Sequence, residues 1–251
     1  WFNRFIALRF MEVNGYLPAR VRVFTNEEGE FKPEIMKEAM TVEIDGLNRE
    51  KVLDLIDKQN NEELYKYLII TQCNALNEIL PGMFQKIEDY TELLLPDNLL
   101  REGSVIEQMI TLIPEEDWTD QVQIIGWLYQ FYISERKDEV FASFKSGKKA
   151  AAEDIPAATQ IFTPNWIVKY MVQNTVGRIY LDNNPYSTTL KTNWKYLVEG
   201  EPTPQDSIYR YEELTDLKVA DLACGSGHIL NECFDLLYEL YIHEGYTRGE
   251  A

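Results

Sequence analysis

The 251 residues carry 24 Lys and Arg against 42 Asp and Glu, a formal net charge of −18, with 45% hydrophobic and 26% charged residues. That balance describes a folded globular chain, and its excess of acid means either that this chain is not a DNA-gripping surface, which draws on Lys and Arg, or that its target is not nucleic acid. No apolar run reaches the roughly 20 residues that span a bilayer, and three cysteines without a CxxC pair (Cys73, Cys224, Cys233) argue against a disulfide framework or a metal site. A cytoplasmic protein with no membrane partner is expected.

Residues 1–13 place Trp1, Phe2, Phe5, Ile6, Leu8 and Met11 at spacings of a buried helix, which Asn14-Gly15 stops. The run 20–24, RVRVF, alternates like a short strand before the Asn26-Glu-Glu-Gly29 turn. Arg4, Arg9, Arg20 and Arg22 form a basic cluster near this end, read as a solvated face. Short helices are predicted over 33–40 and 48–58, and a long one over 61–80, capped by Asn61 and ended by Pro81-Gly82. Further helices are predicted over 99–112 and from the acidic turn at Pro114 to about Arg136.

This pattern divides the chain into a helical N-terminal domain, 1–137, a polar hinge, 138–157, with Gly147, Lys148 and Lys149, and a second domain, 158–251. The second domain opens with a predicted helix over 165–181, capped by Thr163 with Pro164 in its first turn. Asn183-Asn184-Pro185-Tyr186 follows, a routine turn sequence.

The most informative stretch is 218–230, KVADLACGSGHIL. A short apolar segment (Val219, Ala220, Leu222) reads as a strand, a small-residue turn follows, and an amphipathic helix starts near His228. Strand, glycine turn and helix is how open α/β sheets build a ligand site. Glycines let the backbone approach a ligand, and the helix N-terminus presents N–H donors to an anionic group. His228, at the positive end of that helix, reads as a neutral hydrogen-bonding residue, and Cys224 and Cys233 read as small packing residues.

The heptamer Asp221-Leu-Ala-Cys-Gly-Ser-Gly227 resembles the S-adenosylmethionine (SAM) loop of N6-adenine DNA methyltransferases, usually DPACGSG, with Leu222 in place of the proline. Phe162-Thr163-Pro164 and its Ile-Val helix resemble the motif that precedes that loop in the same families. The whole pattern is similar to PglX-type adenine methyltransferases of BREX phage-resistance systems, with type IIG restriction–methylation polypeptides close behind. It is carried by WFNRFIALRFMEVNGY (1–16), ATQIFTPNWIVKYMV (158–172), the following NTVGR and DLACGSGHIL.

The resemblance implies an α+β chain: a helical domain followed by the start of a Rossmann-like α/β methyltransferase domain. It implies SAM as cofactor, held by Phe162, Thr163, Pro164, Asp221, Ala223, Cys224, Gly225, Ser226 and Gly227, with Asp221 near the amino group. Methyl transfer to adenine N6 in duplex DNA follows, with DNA gripped mainly by regions outside this stretch and with room for protein partners of a defence system.

The catalytic motif of such enzymes is Asn-Pro-Pro-Tyr at the end of a later strand. Asn183–Tyr186 precedes the glycine loop and has one proline, so the catalytic motif is expected beyond Ala251. A lone strand also leaves its edges unpaired, so the chain, opening at Trp1 without Met, reads as an internal piece of a longer protein, inactive by itself. Methylation of a protein or RNA amide, and a helical interaction module with a degenerate nucleotide loop, are the alternatives that share the loop.

Overall fold

A computed structural model describes the chain except residues 88–90, 120–121, 148 and 226, and divides it into two compact units, Trp1–Phe131 and Tyr132–Ala251. The first contains α1 (Phe2–Val13), α2 (Glu34–Lys37), α3 (Arg49–Asp57), α4 (Asn61–Leu76), α5 (Val105–Leu112) and most of α6 (Gln123–Tyr132). The second contains α7 (Ser134–Lys145), α8 (Ile155–Thr159), α9 (Asn165–Val172), a π-helical turn (Gln173–Gly177), α10 (Arg178–Asn183), α11 (Thr188–Asn193) and α12 (His228–His243). Lys148 of the predicted hinge lies outside the described residues.

In the first unit α1 is buried on nearly every side from Phe5 to Glu12, as a helix packed on several sides is. Phe5, Leu8 and Met11 join α4 residues such as Leu68, Ile69 and Leu76 in one core, while Ile6 and Phe10 meet Trp118 and Ile124 in another. Helix α4 is capped by Asn60, which accepts from the Glu63 N–H at 3.4 Å, one residue before the predicted Asn61. Helix α5 starts late, at Val105, because Ser104 caps it (Glu107 N–H, 3.2 Å) just after Gly103 turns with φ +80°.

The expected strand over 20–24 does not form. Val23 and Phe24 are both fully buried, so their side chains do not alternate. Their N–H groups donate to the carboxylate of Glu12 at 2.7 and 2.8 Å, taking the place of a neighbouring strand's carbonyls. Burial pushes the Glu12 carboxyl up, against the pull of Arg9 and those two N–H donors.

The basic cluster is a solvated face only in part: Arg20 is exposed, whereas Arg9 and Arg22 are drawn into ion pairs. Arg9 is 1% exposed and pairs with Glu12 at 2.6 Å. Arg9 and Arg22 both reach Glu115, at 3.1 and 2.8 Å, and Arg4 donates to the Gln85 carbonyl.

The α+β expectation is overturned for the same physical reason in the second unit. Among the described residues there is no strand, and the architecture is all-α. The segment 218–222 finds no second extended segment to pair with, and a strand exists only through such a ladder; Leu222 is 99% exposed. The core of this unit is instead helical, with Val168, Val172, Val176 and Tyr180 packed against Cys233, Leu236 and Leu240. No described helix is long and apolar enough to cross a membrane.

Candidate cofactor site

Helices α9 and α12 pack side by side through that core. The segments that lead into them therefore open onto one cavity of about 460 Å³, within the roughly 300–1,000 Å³ range of small-ligand sites. One wall is Pro156, Thr159, Gln160, Ile161 and Thr163; the other is Asp221, Ala223, Gly225, Gly227, His228 and Ile229.

The second wall is built by its glycines. Gly227 has φ +84°, a left-handed conformation open to glycine at little cost, and occupies the N-cap position of α12. No side chain among the described residues caps that helix, so its first turn keeps the partial positive charge of N–H groups that those residues leave unpaired. A Cβ built on Gly225 or Gly227 would meet nothing within 4 Å, so the loop backbone is bare where it faces the opening. Asp221 folds back on this loop, one carboxylate oxygen accepting from the Ala223 N–H at 3.0 Å.

The two walls also meet through an aromatic contact. The Phe162 and His228 rings lie 5.3 Å apart at 48°. The His228 Nε2 atom is buried and has no hydrogen-bond partner among the described residues.

Five of the residues picked out from sequence (Thr163, Asp221, Ala223, Gly225 and Gly227) thus line a single cavity, and Phe162 reaches it through His228. Pro164 sits behind the wall, at the N-cap position of α9 where Thr163 was expected to cap, and no side chain caps α9. Cys224 is exposed, in contrast to the packing role expected of it. Ser226 lies outside the described residues.

Sequence reasoning missed Pro156, Thr159, Gln160, Ile161 and Ile229 as wall residues. The signal was adjacency: three of them run directly into Phe162, but the hinge boundary was drawn through α8.

Neighbouring titratable groups support α12 rather than the cavity. Burial pushes the Cys233 thiol up, helped by the Glu232 and Asp221 carboxylates. Burial also raises the Glu232 carboxyl, against the pull of Lys169. No group of three or more possible metal ligands occurs among the described residues.

In the Asn183–Tyr186 tetrapeptide the two asparagine amides are engaged in hydrogen bonds, while Tyr186 is 94% exposed. The Asn183 amide donates to the Ile179 and Tyr209 carbonyls at 2.9 and 2.8 Å, and the Asn184 amide to the Tyr180 carbonyl and the Tyr211 hydroxyl at 3.2 Å.

No family model matches the chain. Along nearly its whole length, however, the sequence is similar to adenine-specific methyltransferases. It is 44% identical over 257 residues, covering 98% of the chain, to the adenine-specific methyltransferase BrxX of Escherichia coli O9:H4 (strain HS). It is 41% identical over 277 residues, covering all of the chain, to the adenine-specific methyltransferase PglX of Lacticaseibacillus casei (strain Zhang). The chain spans 21% and 22% of these two relatives, about a fifth of their length.

Proposed function

We propose that this chain is the donor-holding part of an adenine-specific DNA methyltransferase that modifies adenine N6 in duplex DNA, as part of a phage-resistance or restriction–modification system. The observation that carries the reading is the convergence of the 159–163 and 221–229 segments on one cavity, in a chain 44% identical to an adenine-specific methyltransferase. On this reading residues 158–251 are the leading part of the methyltransferase domain, and the protein works in the cytoplasm.

The cavity suits the amino-acid end of SAM. Asp221 supplies a carboxylate for an ammonium group, and the uncapped start of α12 supplies N–H donors and a positive pole for a carboxylate. Gly225 and Gly227 leave the backbone bare for close approach. The bound cofactor would supply an electrophilic methyl group on a sulfonium centre; the residues here bind and orient its amino-acid end.

DNA grip belongs to other parts of the polypeptide on this reading. The net charge is −18, and Arg9 and Arg22 are already occupied by Glu12 and Glu115.

The test uses the full-length protein containing this chain, with radiolabelled SAM and adenine-containing duplex DNA. Asp221→Ala and Gly227→Val should each reduce methylation at least about tenfold, the second because a β-branched residue resists left-handed φ. Normal methylation by both variants, or labelling of protein instead of DNA, would refute the proposal.

A further inference from the structure

We propose that His228 contacts the cofactor directly: its Nε2–H donates a hydrogen bond to the carboxylate of the donor's amino-acid end. This rests on the cofactor reading above and assigns that end a side-chain donor.

Three observations carry it. His228 is a wall residue of the cavity, yet its Nε2 is buried without any hydrogen-bond partner among the described residues. An unpaired polar atom of that kind is costly, because desolvation is not repaid. Its position supplies the partner's chemistry. His228 is the first residue of α12, so its imidazole stands at the positive pole that favours an anion, while Asp221 on the same wall favours a cation. An amino acid's carboxylate and ammonium match those two places.

The Phe162 ring completes the arrangement. It packs on the imidazole, ring centroids 5.3 Å apart. Nε2 meets a ligand once the half-buried imidazole turns about its own side-chain bonds. Phe162 then acts as the apolar cover that keeps water from competing for the bond.

The experiment measures binding of SAM and of decarboxylated SAM to the full-length protein by calorimetry, without DNA. His228→Phe keeps an aromatic ring against Phe162 and removes the donor. It should weaken SAM binding about tenfold, the lower range for a hydrogen bond to a charged group, and leave decarboxylated SAM unchanged. His228→Asn, which retains a donor, should recover most of the loss. In the methylation assay the KM for SAM should rise by the same factor in His228→Phe while kcat stays within twofold.

Unchanged SAM affinity in His228→Phe, or equal losses for both ligands, would overturn the inference. If Asp221→Ala loses SAM while His228→Phe does not, the cofactor reading stands and only the histidine's role falls. If the wild-type protein binds neither ligand, both fall together.

Discussion

Gly177→Ala gives the clearest test of how the second unit holds together. Gly177 ends the π-helical turn with ordinary helical φ and ψ of −60° and −42°. At such a site alanine normally stabilises by about 0.5–1 kcal/mol, through lower chain entropy in the unfolded state. Here an added Cβ would lie 2.9 Å from Cζ3 of Trp194 and 3.3 Å from its Cε3 and Cη2. Carbon pairs rest at about 3.5–4.0 Å, so the ring must retreat by more than half an ångström.

The ring has little room to do so. Trp194 is 4% exposed, and its indole N–H donates to Glu239 of α12 at 3.0 Å. Overpacking of this kind costs about 1–3 kcal/mol, which outweighs the helical gain and leaves a net loss of about 1 kcal/mol. Urea unfolding followed by circular dichroism measures this. Adding Trp194→Phe removes the clashing ring carbons, so on that background the same Gly177→Ala change should become stabilising. A stabilising Gly177→Ala in the presence of Trp194 would refute the packing argument.

Two further predictions concern other groups. With limiting iodoacetamide on the folded protein, Cys224 should be alkylated first, because it is exposed, whereas burial covers Cys73 and Cys233 and pushes the Cys73 thiol up to about 12; peptide mapping that finds Cys73 modified before Cys224 would contradict the fold. Glu115 is held below the usual carboxylate range by its hydrogen bonds to Arg22 and by the charges of Arg22 and Arg9, against partial burial. Its contribution is therefore present above the unfolded value near 4.5 and lost as pH falls through the lower folded value. Glu115→Gln should cost about 1 kcal/mol at pH 7, a low figure because a third of the carboxylate is exposed, and the gap to wild type should close between about pH 5 and 3; a pH-independent gap would show that the pairing is not electrostatic.

What was legible in the sequence was whatever a short window determines. Gly227 needs only its own backbone to turn and start α12, and Asn48 starts α3 where expected, whereas the caps of α4 and α5 fall on Asn60 and Ser104, off the expected starts at Asn61 and residue 99. The helices α1, α3, α4 and α12 follow from apolar spacing alone. Strands were not legible, because an extended segment becomes a strand only through its neighbour. RVRVF alternates in sequence, yet its N–H partner is Glu12, on a helix. The Arg9–Glu115 pair spans 106 positions, beyond any local pattern. Thr159, Gln160 and Ile161 lie within the 158–172 run that carries the resemblance, but it is the packing of α9 on α12 that makes them cavity wall.

That packing also gives a physical meaning to the NTVGR stretch within the family likeness. The π turn contains an i→i+5 register, and the side chains of Gln173 and Asn174 bind the same returning segment. Gln173, 6% exposed, accepts from the Tyr196 N–H at 2.9 Å. Asn174 donates to the Tyr196 carbonyl and accepts from the Val198 N–H, both at 2.8 Å. Trp194 begins that segment, lies over Gly177 and bonds to α12. A helix of plain α register would aim these amides differently and lose the bonds. None of these residues lines the cavity. Their role is to hold α9 against α12, so that the Phe162–Thr163 turn stays opposite Gly225 and Gly227; a requirement for Gly177 in this protein is then a requirement for the cavity's shape, exerted through Trp194 rather than through contact with a ligand.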